Sequence, residues 1–216
     1  MTLKTRLGNK TPRIAETPSG IVNSVGLQNP GVDAVIRDEI PFLKQFKTKI
    51  VANIAGNTVE DYVLMAKKLN GSGTDMLEVN VSCPNVKHGC VAFGTTETGV
   101  KEVTKAVKST TDIPIMVKLT PNVSDIASIA VAEEEAGADA VSLINTITGM
   151  VIDVNTRRPI LANNTGGLSG PAVRPIAVNM VHEVFKAVSI PVVGMGGICS
   201  GEDAVQFLIA GATAVM

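Results

Sequence analysis

The chain has 216 residues, 45% of them hydrophobic and 18% charged, with 20 glycines and a formal net charge of -1. That length and apolar content suit one large domain with its own core and exclude a disordered or fibrous chain. A charge so near zero supplies no basic field for nucleic acid or an anionic membrane, and no apolar run approaches the roughly 18 residues that span a bilayer. The opening MTLKTRLGNK lacks the apolar stretch of a signal peptide. Cys83, Cys90 and Cys199 form no CxxC pair and read as reduced thiols of a cytoplasmic protein. Two histidines and three scattered cysteines show no zinc spacing, so no metal site is expected.

In chain order, SGIVNSVGLQNPG (19–31) is too irregular for a helix. It reads as a loop that, after Asn23, presents backbone N–H groups. KIVANIA (49–55) is the first strand, and TVEDYVLMAKKL is a helix opened by Thr58 and Asp61 in a capping-box arrangement. MLEVNVS (76–82) and PIMVKLT (114–120) are strands. SDIASIAVAEEEAG is a helix with Ser124 as N-cap and Gly137 just past its end. AVSLINT (140–146) is a strand, followed by TGMVIDVNTRRPILANNTGGLSG, which reads as a hairpin-bearing excursion. PAVRPIAVNMVHEVFKAV is a helix with His182 on its surface; PVVGMGG (191–197), the helix SGEDAVQFLIAG and the strand ATAVM (212–216) complete the series.

These strands read as apolar on both faces, the pattern of parallel strands covered by helices. A phrase recurs: IPIMVK at 113 then AGADAV at 136, and IPVVGM at 190 then AGATAV at 210. Repeated βα units mean either a doubly wound sheet or a (β/α)8 TIM barrel. Polar residues sit at several strand ends, in NVSCPN, VKLTPN, LINT and GMGG, which favours a barrel with all its loops at one mouth. Six strands rather than eight are found, so the barrel is expected to be incomplete over 1–216, taken as a single domain.

Chemistry concentrates in NVSCPNVKHG (80–89). Cys83 stands between Asn80 and Asn85, and a thiol there is a base, a nucleophile or, as lone cysteines more often are, a small buried hydrophobe. The asparagines tip the balance. Carboxamides both donate and accept, so Asn23, Asn53, Asn80, Asn85 and Asn145 converging on one pocket suit a planar ring of alternating C=O and N–H, such as a pyrimidine. Singly, each reads equally well as an Asx turn or cap. Lys118, late in an apolar strand, needs an anion or a carbonyl-rich partner or else reaches out to solvent. GMGG lets backbone approach a ligand but is weak as a phosphate cradle. No Walker or GxGxxG pattern is present.

Taken together, NSVGLQNPG, NVSCPNVKHG, VKLTPNV, INT, ILANNTGGLSGPAVRP and GMGGI resemble the dihydroorotate dehydrogenases, over essentially the whole chain. VKHG and ILANNTGGLSGPA resemble the NAD-linked class 1B. The resemblance implies an FMN-binding barrel that oxidises dihydroorotate to orotate in pyrimidine biosynthesis, with Cys83 as the base. It implies substrate contacts from Asn23, Ser24, Val25, Gly26, Leu27, Asn80, Asn85, Asn145 and Thr146. It implies FMN contacts from Asn53, Asn80, Lys118, Ile144, Gly170, Gly196 and Gly197, the glycines at the phosphate end. It also implies a homodimer at the core of a heterotetramer, with an FAD and [2Fe-2S] subunit passing electrons to NAD. Family sequence expected before Met1 and after Met216 includes a flavin-site lysine and a Gly-Thr phosphate contact. The chain is therefore expected to be truncated at both ends, and to bind FMN poorly and not turn over by itself. Two alternatives stay open: a sister flavin barrel acting on another dihydropyrimidine, and a non-catalytic remnant.

Overall fold

The computed structural model describes residues 1–82 and 93–216. An antiparallel pair, β1 (Ile14–Thr17) and β2 (Gly20–Asn23), comes first. The short helices α1 (Val32–Ala34) and α2 (Ile40–Leu43) follow, joined by a π-helical turn. Then come β3 (Val51–Ile54), α3 (Val59–Leu69), β4 (Met76–Asn80), α4 (Glu97–Lys108), β5 (Ile115–Lys118), α5 (Ile126–Glu135) and β6 (Ala140–Leu143). The excursion holds β7 (Ile147–Gly149), the hairpin β8 (Ile152–Asp153) and β9 (Arg158–Pro159), and β10 (Gly166–Ser169). The chain closes with α6 (Arg174–Ala187), β11 (Val192–Gly194), α7 (Gly201–Ile209) and β12 (Ala214–Val215).

The six expected strands are all present, in one parallel sheet ordered β3-β4-β5-β6-β11-β12. Neighbours in space follow neighbours in sequence, with no reversal and so no switch point; the doubly wound alternative fails on this observation. Helices α3 to α7 pack successively against one another, and their buried residues share one core with the sheet. A second sheet, β1-β2-β10-β7, is antiparallel throughout. Among the described residues no helix is long and apolar enough to cross a membrane.

The parallel strands are not apolar on both faces. Leu77, Val79, Ile115, Val117, Val141 and Val192 face the helices and are buried with Met65, Val103, Ile129, Val181 and Phe207. The opposite face carries Asn53, Glu78, Asn80, Met116, Lys118 and Ser142, in register across the strands. Glu78 accepts from Ser142 Oγ at 2.8 Å and from Asn53 Nδ2, which satisfies this buried carboxylate. The alternation is written in Glu78-Val79-Asn80 and Met116-Val117-Lys118, where side chains a single residue apart point to opposite faces.

The capping box at α3 forms as expected, with Thr58 Oγ accepting from Asp61 N and the Asp61 carboxylate accepting from Thr58 N. Gly137 stands just past α5 with φ 96°, as its C′ position requires. The N-cap of α5 is Asp125 rather than Ser124: its carboxylate accepts from Ser128 N at 3.1 Å. Either side chain can cap, and the backbone turns helical one residue later. Two regions read differently from expectation. Residues 20–23 pair as β2, because β1 and β10 supply partners on both sides. Helix α4, capped by Thr96, is not legible in the sequence, because ETGVKEVTKAVK carries a glycine and five β-branched residues. His182 is exposed on α6, as expected.

Glu133 of α5 is fully buried against α4, where Thr104 Oγ1 donates to Oε2 while Oε1 has no partner among the described residues. Burial pushes its carboxyl up from 4.5 to about 8, opposed by the Thr104 bond. A group raised in the folded state contributes stability that is full below its unfolded pKa and lost as pH rises through the folded value. Stability from this site is therefore expected to fall between about pH 4.5 and 8. Glu133→Gln is expected to flatten that fall, measured as urea midpoints across the window. A parallel pH dependence in both proteins would contradict it.

Candidate functional site

A cavity of about 530 Å³ opens between the carboxyl ends of β4, β5 and β6 and the antiparallel sheet. Asn80 and Ser82 enter it from β4, Thr120 and Asn122 from β5, and Asn145 and Thr146 from β6. Asn23 to Gln28 enter after β2, Thr148 from β7, and Asn163, Thr165, Gly166 and Gly167 from the approach to β10. Parallel pairing puts strand ends on one side, and the excursion between β6 and β11 supplies the opposite wall.

The lining is fastened by hydrogen bonds that leave some groups unused. Tyr62 Oη donates to Asn80 O at 2.8 Å, and Asn80 Oδ1 accepts from Ser82 N at 3.2 Å and Asn145 Nδ2 at 3.3 Å. Asn145 Oδ1 accepts from Thr146 N at 2.8 Å. Asn122 ties three strands: Nδ2 donates to Thr120 Oγ1 at 3.1 Å and Thr146 O at 3.0 Å, and Oδ1 accepts from Thr148 N at 2.9 Å. Asn23 Nδ2 donates to Gly167 O at 3.3 Å. The buried Ser24 hydroxyl has no partner among the described residues, and no described group accepts from Asn80 Nδ2. The cavity thus offers amide and hydroxyl valences, with no charged side chain among its described lining residues, which suits a planar polar ring.

A second cluster lies at the ends of β6, β10 and β11. A Cβ on Gly197 would stand 2.5 Å from Gly170 O, and one on Gly196 would stand 3.5 Å from Ile144 Cγ1. Gly170, Gly196 and Gly197 have φ of 103°, 123° and 73°, values that glycine adopts freely. Arg174, against Gly197, pairs with Asp203 at 2.5 Å. The backbone N–H of Cys199, with smaller help from Ser200 and Arg174, holds the Asp203 carboxyl below its ordinary value against the opposing effect of burial. Lys118 lies beside Asn80 on the polar sheet face, half-buried, with no ion-pair partner among the described residues.

Of the expected substrate contacts, Asn23, Ser24, Val25, Gly26, Leu27, Asn80, Asn145 and Thr146 line one cavity. Cys83 and Asn85 lie outside the described residues, as do His88 and Cys90. Of the expected cofactor contacts, Asn80 lines the cavity, Asn53 and Lys118 share its sheet face, and Ile144, Gly170, Gly196 and Gly197 form the glycine cluster. Reading the sequence missed Gln28, Ser82, Thr95, Thr120, Asn122, Thr148, Asn163, Thr165, Gly166 and Gly167. Thr120 and Asn122 carried the same mark as the residues that were found, a polar side chain just past a strand. Asn163 and Thr165 had none, because their place depends on how the excursion folds back.

Repeated βα units with a polar, amide-rich cavity at their strand ends define an α/β protein built to hold a small planar ligand. The family model described as dihydroorotate dehydrogenase matches residues 1–216, and the chain belongs to that family. Relatives named as the catalytic subunit of dihydroorotate dehydrogenase B (NAD(+)) include that of Alkaliphilus oremlandii, 60% identical over 96% of this chain and 69% of its own. That of Caldicellulosiruptor bescii is 59% identical over 100% of this chain and 71% of its own. That of Anoxybacillus flavithermus is 56% identical over 99% and 69%. Among solved structures, a FabK mutant from Thermotoga maritima aligns with TM-score 0.51 and 17% identity, over 88% of this chain and 50% of that one, a likeness of fold alone.

The cavity wall is close-packed at Gly167, where a Cβ would fall 2.0 Å from Thr146 Oγ1 and 2.5 Å from Thr146 Cβ. Gly167→Ala is expected to displace Thr146 and cost about 1–3 kcal/mol of stability. An unchanged denaturation midpoint would show that Thr146 has room to give.

Proposed function

We propose that this protein oxidises (S)-dihydroorotate to orotate as a flavin-dependent catalytic subunit. The observation that carries the reading is the convergence of Asn23, Asn80, Asn145, Thr146 and the 24–28 turn on one cavity, in a chain of this family. In this reading residues 1–216 are one domain, part of a (β/α)8 barrel. Sequential strand order and a single helix-covered face support that architecture. Cys83 directly follows Ser82, a lining residue, and so stands within a residue of the cavity along the chain.

Asn80 and Asn145 orient the pyrimidine ring through their carboxamides, and the turn after Asn23 takes the substrate carboxylate. Cys83, as thiolate, removes the proton from C5. A thiol with an ordinary pKa near 8.5 needs only modest tuning for that task. When bound, FMN supplies the acceptor for hydride from C6. The residues present fit such a group: Gly170, Gly196 and Gly197, with positive φ that glycine adopts freely, would present backbone to it at one end. Lys118, which has no ion-pair partner among the described residues, would supply a cation at the other. Lys118 and Asn80 would hold it on the polar sheet face, with Asn53 fixed there by Glu78. The relatives' names include NAD(+) and the words catalytic subunit. They support a partner subunit and a link to NAD; in this reading the assembly is cytoplasmic, and an FAD and [2Fe-2S] subunit relays electrons to NAD around a homodimeric core. A carboxylate-binding turn favours dihydroorotate over a dihydropyrimidine lacking that group.

Cys83→Ser is expected to slow single-turnover oxidation of dihydroorotate by about 100-fold or more at neutral pH, with orotate affinity nearly kept. An undiminished rate would remove Cys83 from the base role. Lys118→Ala is expected to weaken FMN binding about tenfold or more, read from the fluorescence of released flavin. Equal retention in both proteins would leave Lys118 as a strand-end lysine and no more.

A further inference from the structure

We infer that Asn9, outside the cavity, is the positioning residue that sets selectivity for a carboxylate-bearing ligand; the inference rests on the function proposed above. The turn from Ser24 to Gln28 is held from behind. Asn9 N donates to Val25 O at 2.9 Å, and Asn9 Nδ2 donates to Ser24 O at 2.9 Å. Asn29 Nδ2 takes the carbonyl of Leu27 at 2.7 Å, and Ser24 N is spent on Arg13 O at 2.8 Å. Three of the turn's carbonyls are thus engaged, while no described residue accepts from the N–H groups of Gly26, Leu27 and Gln28. Gly26 and Leu27 both have positive φ, 79° and 56°. Successive N–H groups in such a conformation form a concavity that attracts anions. All three residues line the cavity, as does Ser24, whose buried hydroxyl has no partner among the described residues.

Leu27 is a γ-branched residue in a region that non-glycine residues seldom adopt, so the turn needs outside support to keep this shape. Asn9 supplies it at two points, and by contact as well. A Cβ on Gly26 would fall 2.6 Å from Asn9 Cγ, so the glycine is required both by its backbone and by the asparagine beneath it. Asn9 does not line the cavity, so it acts on the ligand through the turn. Loss of its side-chain donor frees Ser24 O and lets the N–H groups lose their common focus. A ligand held by its carboxylate feels that; one held only by its ring does not.

The test compares orotate with its neutral methyl ester by calorimetry, using the flavin-loaded protein and its Asn9→Leu and Asn9→Asp variants. Both variants keep the backbone bond to Val25 and lose the donor to Ser24. The expected result is orotate binding weakened about tenfold or more, with methyl orotate changed less than about twofold. Equal loss for both ligands, or no loss for orotate, overturns the role of Asn9 while leaving the proposed function standing. Failure of both variants to fold would mark Asn9 as a structural residue and overturn it likewise. Failure of the unaltered protein to bind orotate would overturn the proposed function and this inference together.

Discussion

Parallel pairing of β3, β4, β5, β6, β11 and β12 in sequence order is the constraint on which the rest depends. It forces every crossover to return along the same side of the sheet, and that side becomes the helix-packed core of Leu77, Val79, Ile115, Val117 and Val141. It also forces all carboxyl ends to one edge. The other face is then free to carry polar groups, and Asn53, Glu78, Asn80, Lys118 and Ser142 stand on it in register.

A buried polar face is costly unless its members satisfy one another. Glu78 shows how that is met: it spans from Asn53 on β3 to Ser142 on β6, and so locks strands that are not neighbours. Asn122 does the same one layer higher, joining Thr120, Thr146 and Thr148 across the strand ends. The cavity wall is therefore a network rather than a row of separate side chains. A change at Gly167 or Asn9 acts through neighbours it touches rather than through the ligand.

The antiparallel sheet joins segments 140 or more residues apart in sequence, as the bond from Asn23 to Gly167 O illustrates with a separation of 144. Closing so long a loop is entropically demanding, and the four strands β1, β2, β10 and β7 offset that cost with ladder hydrogen bonds and a small core of Ala15, Val22 and Leu161. This sheet brings the 24–28 turn over the ends of the parallel strands and encloses the ligand site.

The sequence by itself determined the six parallel strands, the capping box at Thr58, the glycine stop at Gly137 and the amide-bearing strand ends, because each is set within a few residues by periodicity, capping or polarity. It also determined the family, through phrases such as NVSCPNVKHG and NSVGLQNPG. Tertiary structure alone decided that one sheet face is polar, since a buried Glu78 reads from the sequence as a strand defect until Asn53 and Ser142 are placed beside it. It alone decided that Asn163, Thr165 and Gly167 line one cavity with Asn23, and that Asn9 holds the turn after it. Those contacts depend on loops folding back across the molecule, and no local rule of propensity or spacing encodes where a loop lands.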